Sequence, residues 1–121
     1  MLTGEDLDTI LSQLLTVGGI KAAVIASRDG LIIRARLPDA GGHEKTLAAM
    51  SATILGAVET VMIDVGRVIP KSVIVDSKRG KLITIGAGHR AILVGLTDES
   101  ATLGLALVEL EKAVKELREK L

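Results

Sequence analysis

The stretch His43–Gly66, HEKTLAAMSATILGAVETVMIDVG, decides how this chain is organised. Between Thr46 and Ile63 its only charged residue is Glu59. A helix covering one face of a sheet shows a wide polar stripe on its other side, and this segment has none, so it is expected to hide more than one face. The large apolar residues Leu47, Met50, Ile54, Val58, Val61, Met62 and Val65 form one stripe. Ala49, Ala52, Thr53, Gly56 and Thr60 form a second row of small side chains, which lets another helix approach closely. A glycine inside a helix costs about 1 kcal/mol relative to alanine, and a close helix contact is a reason to keep Gly56. The segment is predicted as a helix over 43–64 that stops at Gly66.

Before it, Thr3 and Asp6 form a capping-box pattern, and Leu7, Ile10, Leu11, Leu14 and Leu15 recur at helical spacing, predicting a first helix over 4–17. Gly18-Gly19 ends it. Ile20–Ser27 reads as a strand, Asp29-Gly30 as a hairpin turn and Leu31–Arg36 as the returning strand, followed by a loop over Pro38–Gly42. After the long helix, a strand is expected over 68–76, a turn over 77–80, and strands over 81–87 and 90–96. The nearly continuous apolar run Ala91–Leu96 suits a strand covered on both faces. The heptad-like leucines from Leu103 to Leu121, with Glu111 and Lys115 as an exposed pair, predict a third amphipathic helix over 101–121. The order αββαβββα has no repeat and no interior linker, so residues 1–121 are read as one α/β domain.

Pro70 cannot donate to a central ladder, which places its strand at a sheet edge or after a bulge. Val73, Ile74 and Val75 are too apolar for an edge left open. Such an edge invites pairing with another chain, so these three residues, with Ala49, Ala52, Thr53, Gly56 and Thr60, are the expected dimer interface.

Composition closes several routes. Fifteen basic and fifteen acidic residues cancel, leaving no global field toward nucleic acid or an anionic membrane. There is no Phe, Tyr or Trp to stack on bases, and no Cys for thiolate chemistry or zinc. The acidic start does not read as a signal peptide, and no charge-poor apolar run is judged to reach the roughly 18 residues of a membrane span. A cytoplasmic protein without an integral membrane segment is expected. Gly86-Ala87-Gly88 lacks the third glycine of a dinucleotide fingerprint, and no phosphate-binding loop is present. His43 and His89 have no second ligand at helical spacing, and Ser27 has no histidine nearby, so no catalytic residue, metal or cofactor is expected. The turn region Lys78–Lys81 is a local basic cluster read as a solvated hairpin, with a phosphate, acidic-partner or lipid-surface role as the alternative.

Asp29-Gly30-Leu31 in the first hairpin, Leu37-Pro38 before the small-residue helix, Val73-Ile74-Val75 before a turn ending at Gly80, and Thr102-Leu103-Gly104-Leu105 opening the last helix resemble the prokaryotic Roadblock / dynein light chain family. The resemblance implies a profilin-like, five-stranded, mainly antiparallel sheet in the order 2-1-5-4-3, with helices one and three on one face and helix two on the other. It implies dimers joined through strand three and helix two. It also implies platforms for small Ras-like GTPases, some accelerating GTP hydrolysis and some only scaffolding, with no shared catalytic residue. The expected function is a homodimeric adaptor of a small GTPase. A non-enzymatic scaffold of a signalling or motility complex and a small-ligand sensor domain are the alternatives. Once the dimer has used the small-residue row, Leu55, Glu59 and Ile63 are expected to face the partner. Helix two holds no arginine, so an arginine finger from it is excluded; Arg34, Arg36, Arg67 and Arg90 lie elsewhere.

Overall fold

The computed structural model describes residues 3–38 and 42–120. Asp39–Gly41 of the expected loop and the expected helix end at Leu121 lie outside them. The chain runs α1 (Gly4–Leu14), β1 (Ile20–Ser27), β2 (Ile32–Arg36), α2 (Glu44–Gly66), β3 (Ser72–Ser77), β4 (Gly80–Ala87), β5 (Ala91–Thr97) and α3 (Leu103–Lys120). The strands form one antiparallel sheet in the order β2-β1-β5-β4-β3, as the family resemblance implied.

Local chemistry sets the ends of the elements. At α1 the Thr3 hydroxyl accepts from the Asp6 amide while the Asp6 carboxylate accepts from the Thr3 amide, a complete capping box. The helix ends at Leu14, three residues before the expected stop. Thr16 and Val17 bond back three residues to Gln13 and Leu14, closing tight turns that do not continue an α-helix. At α2 the left-handed capping residue is Arg67 (φ 55°), one residue beyond Gly66, and it closes the helix by donating to the Ile63 carbonyl at 3.0 Å. The strand expected to start at Val68 starts at Ser72, so Pro70 precedes the ladder. β3 is an edge because of its place in the sheet order; the argument from Pro70 does not apply.

The sheet separates two cores. On one face α1 and α3 cover Ile25, Ile83, Ile85 and Leu93 with Leu11, Leu110 and Leu117. On the other, α2 covers Val24, Ile92 and Val94 with Ala48 and Leu55. β5 is buried nearly throughout, as a central strand between two layers must be. Gly30 fixes how closely α2 approaches. Its φ of 86° makes the β1–β2 turn, and a Cβ there would lie 2.8 Å from the Ala49 Cα, so only glycine lets the helix rest on the turn.

Candidate functional site: the β3 edge and the outer face of α2

α2 spans 23 residues, about 34 Å at 1.5 Å per residue, whereas a five-stranded sheet is about 19 Å wide at its strand spacing. The helix is longer than its own sheet can use. Its buried residues are Ala48, Ser51 and Leu55, with Ala52 half-buried against the same core. The sheet therefore takes Leu55 together with small side chains, which permit the close packing that Gly30 also permits. Met50, Val61, Met62 and Val65 of the large apolar stripe are exposed, Val65 at 83%.

This corrects three sequence expectations. Leu55 is 1% exposed and packed into the core, so it is no partner surface. Ala52 packs on its own core and Ala49 lies against Gly30, so these two serve the intrachain contact and do not belong to a free outer row. Glu59 is half-buried and committed: its carboxylate accepts from Arg28 Nη1 at 2.7 and 2.9 Å. Thr53, Gly56 and Thr60 do face outward, and nothing stands within 4 Å of where a Cβ on Gly56 would sit. Ile63, the remaining partner candidate, is 47% exposed.

From Thr60 to Ile69 every residue is exposed, including Val61, Met62, Ile63, Val65, Val68 and Ile69. This surface runs on toward β3. There Val73 turns inward toward the α2 core, while Ile74 and Val75 are 39% and 44% exposed. The six residues of β3 pair with β4 in an unbroken register from Ser72↔Ile85 to Ser77↔Gly80, leaving the other side of β3 as an uninterrupted edge. An apolar helix end beside an unprotected apolar strand edge combines the two features at which one chain can pair with another.

By length and composition alone, α2 meets the requirement for a bilayer span: an 18-residue window has mean hydropathy 1.6. That overturns the expectation that no such run exists. The expectation failed because one glutamate inside a run of small apolar residues barely lowers its hydropathy. In the fold, that glutamate is tied to Arg28 and the first half of the helix is packed into the sheet.

The Arg28–Glu59 pair was not legible in sequence, since its members are 31 residues apart. It links the β1–β2 turn to α2, and Arg28 Nη2 also donates to the Gly88 carbonyl at 2.7 Å. Arg28 lies across Gly86, where a Cβ would come within 2.5 Å of its guanidinium. Among the described residues there is no cluster of acidic or histidine side chains able to hold a metal. His43 occupies the N-cap position of α2 without a side-chain hydrogen bond there, and His89 is exposed. At the β3–β4 hairpin Lys81 pairs with Asp76, and this hydrogen bond and charge hold the Asp76 carboxyl below the usual carboxylate range. Lys78 and Arg79 form the exposed tip.

The model of the Roadblock/LC7 domain matches residues 6–97. The chain belongs to that family. It is 30% identical over 112 residues to an uncharacterized protein of Methanocaldococcus jannaschii, covering 93% of this chain and 96% of that one. Its fold is similar to that of Myxococcus xanthus MglB, with a TM-score of 0.89 at 19% identity, covering 98% of this chain and 96% of the other. MglB is also known in a tetrameric arrangement. The wider likeness reaches Acanthamoeba castellanii profilin IB, with a TM-score of 0.67 at 22% identity over 93% of this chain and 94% of profilin. The profilin-like α/β architecture of this Roadblock/LC7 chain is thus established, and its outward-facing surface carries the functional question.

Proposed function

We propose that this Roadblock/LC7 chain acts in the cytoplasm as a homodimer joined along β3 and the outer face of α2, and that the dimer is a non-catalytic platform for a small Ras-like GTPase. One observation carries the reading: the exposed apolar end of α2 adjoins an unprotected apolar strand edge. Burying that surface in a two-fold contact satisfies the β3 ladder and the helix together. Thr53, Gly56 and Thr60 offer the close helix approach, and Ile74 and Val75 the strand contact. Family membership supports a small GTPase as the partner. The fold resemblance to MglB supports a regulator or adaptor over an enzyme.

Ile63, with the neighbouring Val61 and Met62, is the apolar surface offered to the GTPase. α2 contains no arginine, so any faster hydrolysis comes from repositioning the GTPase's own residues or from an arginine outside the helix. A single GTPase lying across the two-fold axis blocks a second, giving one GTPase per dimer. The test mixes the purified protein with small GTPases of its genome, loaded with GDP or a non-hydrolysable GTP analogue, and measures mass, binding and turnover. A monomer at micromolar concentration removes the dimer. Failure of every GTPase to bind in either state removes the partner. Binding without faster hydrolysis leaves a scaffold.

A further inference from the structure

At one corner of the sheet, β4 outlasts β3. Ser72, opposite Ile85, is the last residue of β3 to pair, while Gly86 and Ala87 continue against β5 alone. Pro70 has no amide hydrogen with which to prolong the ladder. The vacancy is a cleft of about 870 Å³, walled by Ile69–Lys71 on one side, Arg28 and Glu59 on another, and the α3 residues Glu111, Lys115 and Arg118 on a third. That volume is in the range of binding sites.

Its charges do not balance. Arg28 and Glu59 cancel, yet the buried Arg28 Nε has no hydrogen-bond partner. Lys71, Lys115 and Arg118 make no ion pair among the described residues, and the remaining carboxylates are those of Glu111 and Glu119. One protomer thus leaves one positive charge in excess.

A second copy enlarges the excess, and the geometry of pairing says where. Residues directly opposite in an antiparallel ladder present their side chains to the same face. A two-fold axis that keeps both α2 helices on one face therefore passes midway between the two copies of one β3 residue, and the exposed Ile74 and Val75 are the two central choices. With Ile74 on the axis, the partner subunit's Lys78 stands opposite Pro70. With Val75 on the axis, it stands opposite Ser72. Either register sets the basic Lys78–Arg79 turn of one copy beside the Ile69–Lys71 wall of the other.

We infer that two copies jointly build a basic groove at each end of the paired β3 strands, and that each groove takes an extended acidic polypeptide segment. The inference rests on the dimer reading above. Lys71, Lys115 and Arg118 from one copy, with the partner subunit's Lys78 and Arg79, face two carboxylates, in a chain whose total charge is zero. The stretch of β4 that lacks a β3 neighbour gives an extended main chain a strand to run along, which favours a peptide over a compact anion.

The experiment titrates fluorescein-labelled decaglutamate with the full chain, following anisotropy at low and high salt and mass by light scattering. Binding that weakens with salt is expected. K115E/R118E and K78E/R79E should each lower affinity about tenfold or more while the protein remains dimeric, whereas R34E/R36E at the far edge should change nothing. Coexpressing K115E/R118E with K78E/R79E provides the decisive arm. A mixed dimer regains one intact groove only if the two pairs act across the interface, so recovered binding supports the composite site and its absence overturns it. A dimeric wild type that does not bind decaglutamate overturns the peptide assignment alone, and inorganic triphosphate binding in its place would give the groove to a small anion. A monomeric wild type defeats the dimer reading and this inference together.

Discussion

The two edges of the sheet differ in kind. β2 pairs with β1 through a register shift: Ile25 faces Arg34 and Ala26 faces Ile32, leaving Ile33 as an extra, unpaired residue. Arg34 and Arg36 follow that bulge, and Arg34 lies 3.9 Å from Asp8 on α1. A bulge bends a strand, and charged side chains resist pairing, so β2 is a poor template for another chain although Ile33 and Leu31 are exposed. β3 has no bulge, shows Ile74 and Val75, and follows directly from the bare end of α2. In the proposed dimer, a regular backbone beside exposed hydrophobics, and not the hydrophobics alone, distinguishes the pairing edge.

The sharpest way to break this comparison is a matched pair of substitutions. Ile74→Lys should convert the dimer to a monomer by light scattering at micromolar concentration, while Ile33→Lys should leave the mass unchanged. A reversed or equal outcome would assign the interface to the wrong edge. Gly56→Arg comes next. Because the space outside Gly56 is empty in one protomer, the variant should keep its circular dichroism and lose its dimer, so a fall in helicity would mean that Gly56 is needed within the chain. Ser51 sharpens the contrast between the inner and outer faces of α2. Its hydroxyl is buried without a hydrogen-bond partner, so Ser51→Ala should stabilise the fold by about 1 kcal/mol in urea unfolding without altering assembly. The smallest effect belongs to the Asp76–Lys81 pair. A depressed folded-state pKa contributes stability above the unfolded value, and that contribution is lost as pH falls through the folded value. The Asp76 carboxyl should accordingly titrate at lower pH in the wild type than in Lys81→Met when followed by NMR, a difference confined to the acid range.

Most of the fold was legible because strands and two of the helices follow one period each. Alternation and turn residues marked the hairpins, and the leucines of α1 and α3 lie on a single face. α2 resisted the same treatment. A helix that serves its own sheet on one side and remains apolar on the other has no polar stripe to orient it, so Leu55 was read as outward when it is buried in the α2 core. The start of β3 was misplaced for a related reason: Val68 and Ile69 are as apolar as strand residues but are exposed before the ladder begins. The Arg28–Glu59 pair and the cleft beside it depend on side chains brought together from the β1–β2 turn, α2, β4 and α3, and no local spacing announces such a meeting.

The unpaired Ile33 has a consequence best expressed in the language of polymer chemistry. A monomer with two reactive ends grows into a chain, whereas a monomer with one can only form a pair and stop. For the proposed β3 dimer, the extra residue that spoils β2 as a template leaves the building block monofunctional at the sheet edge. Deleting Ile33 would restore the second functionality, and the growth it permits would be strand upon strand, toward an open filament.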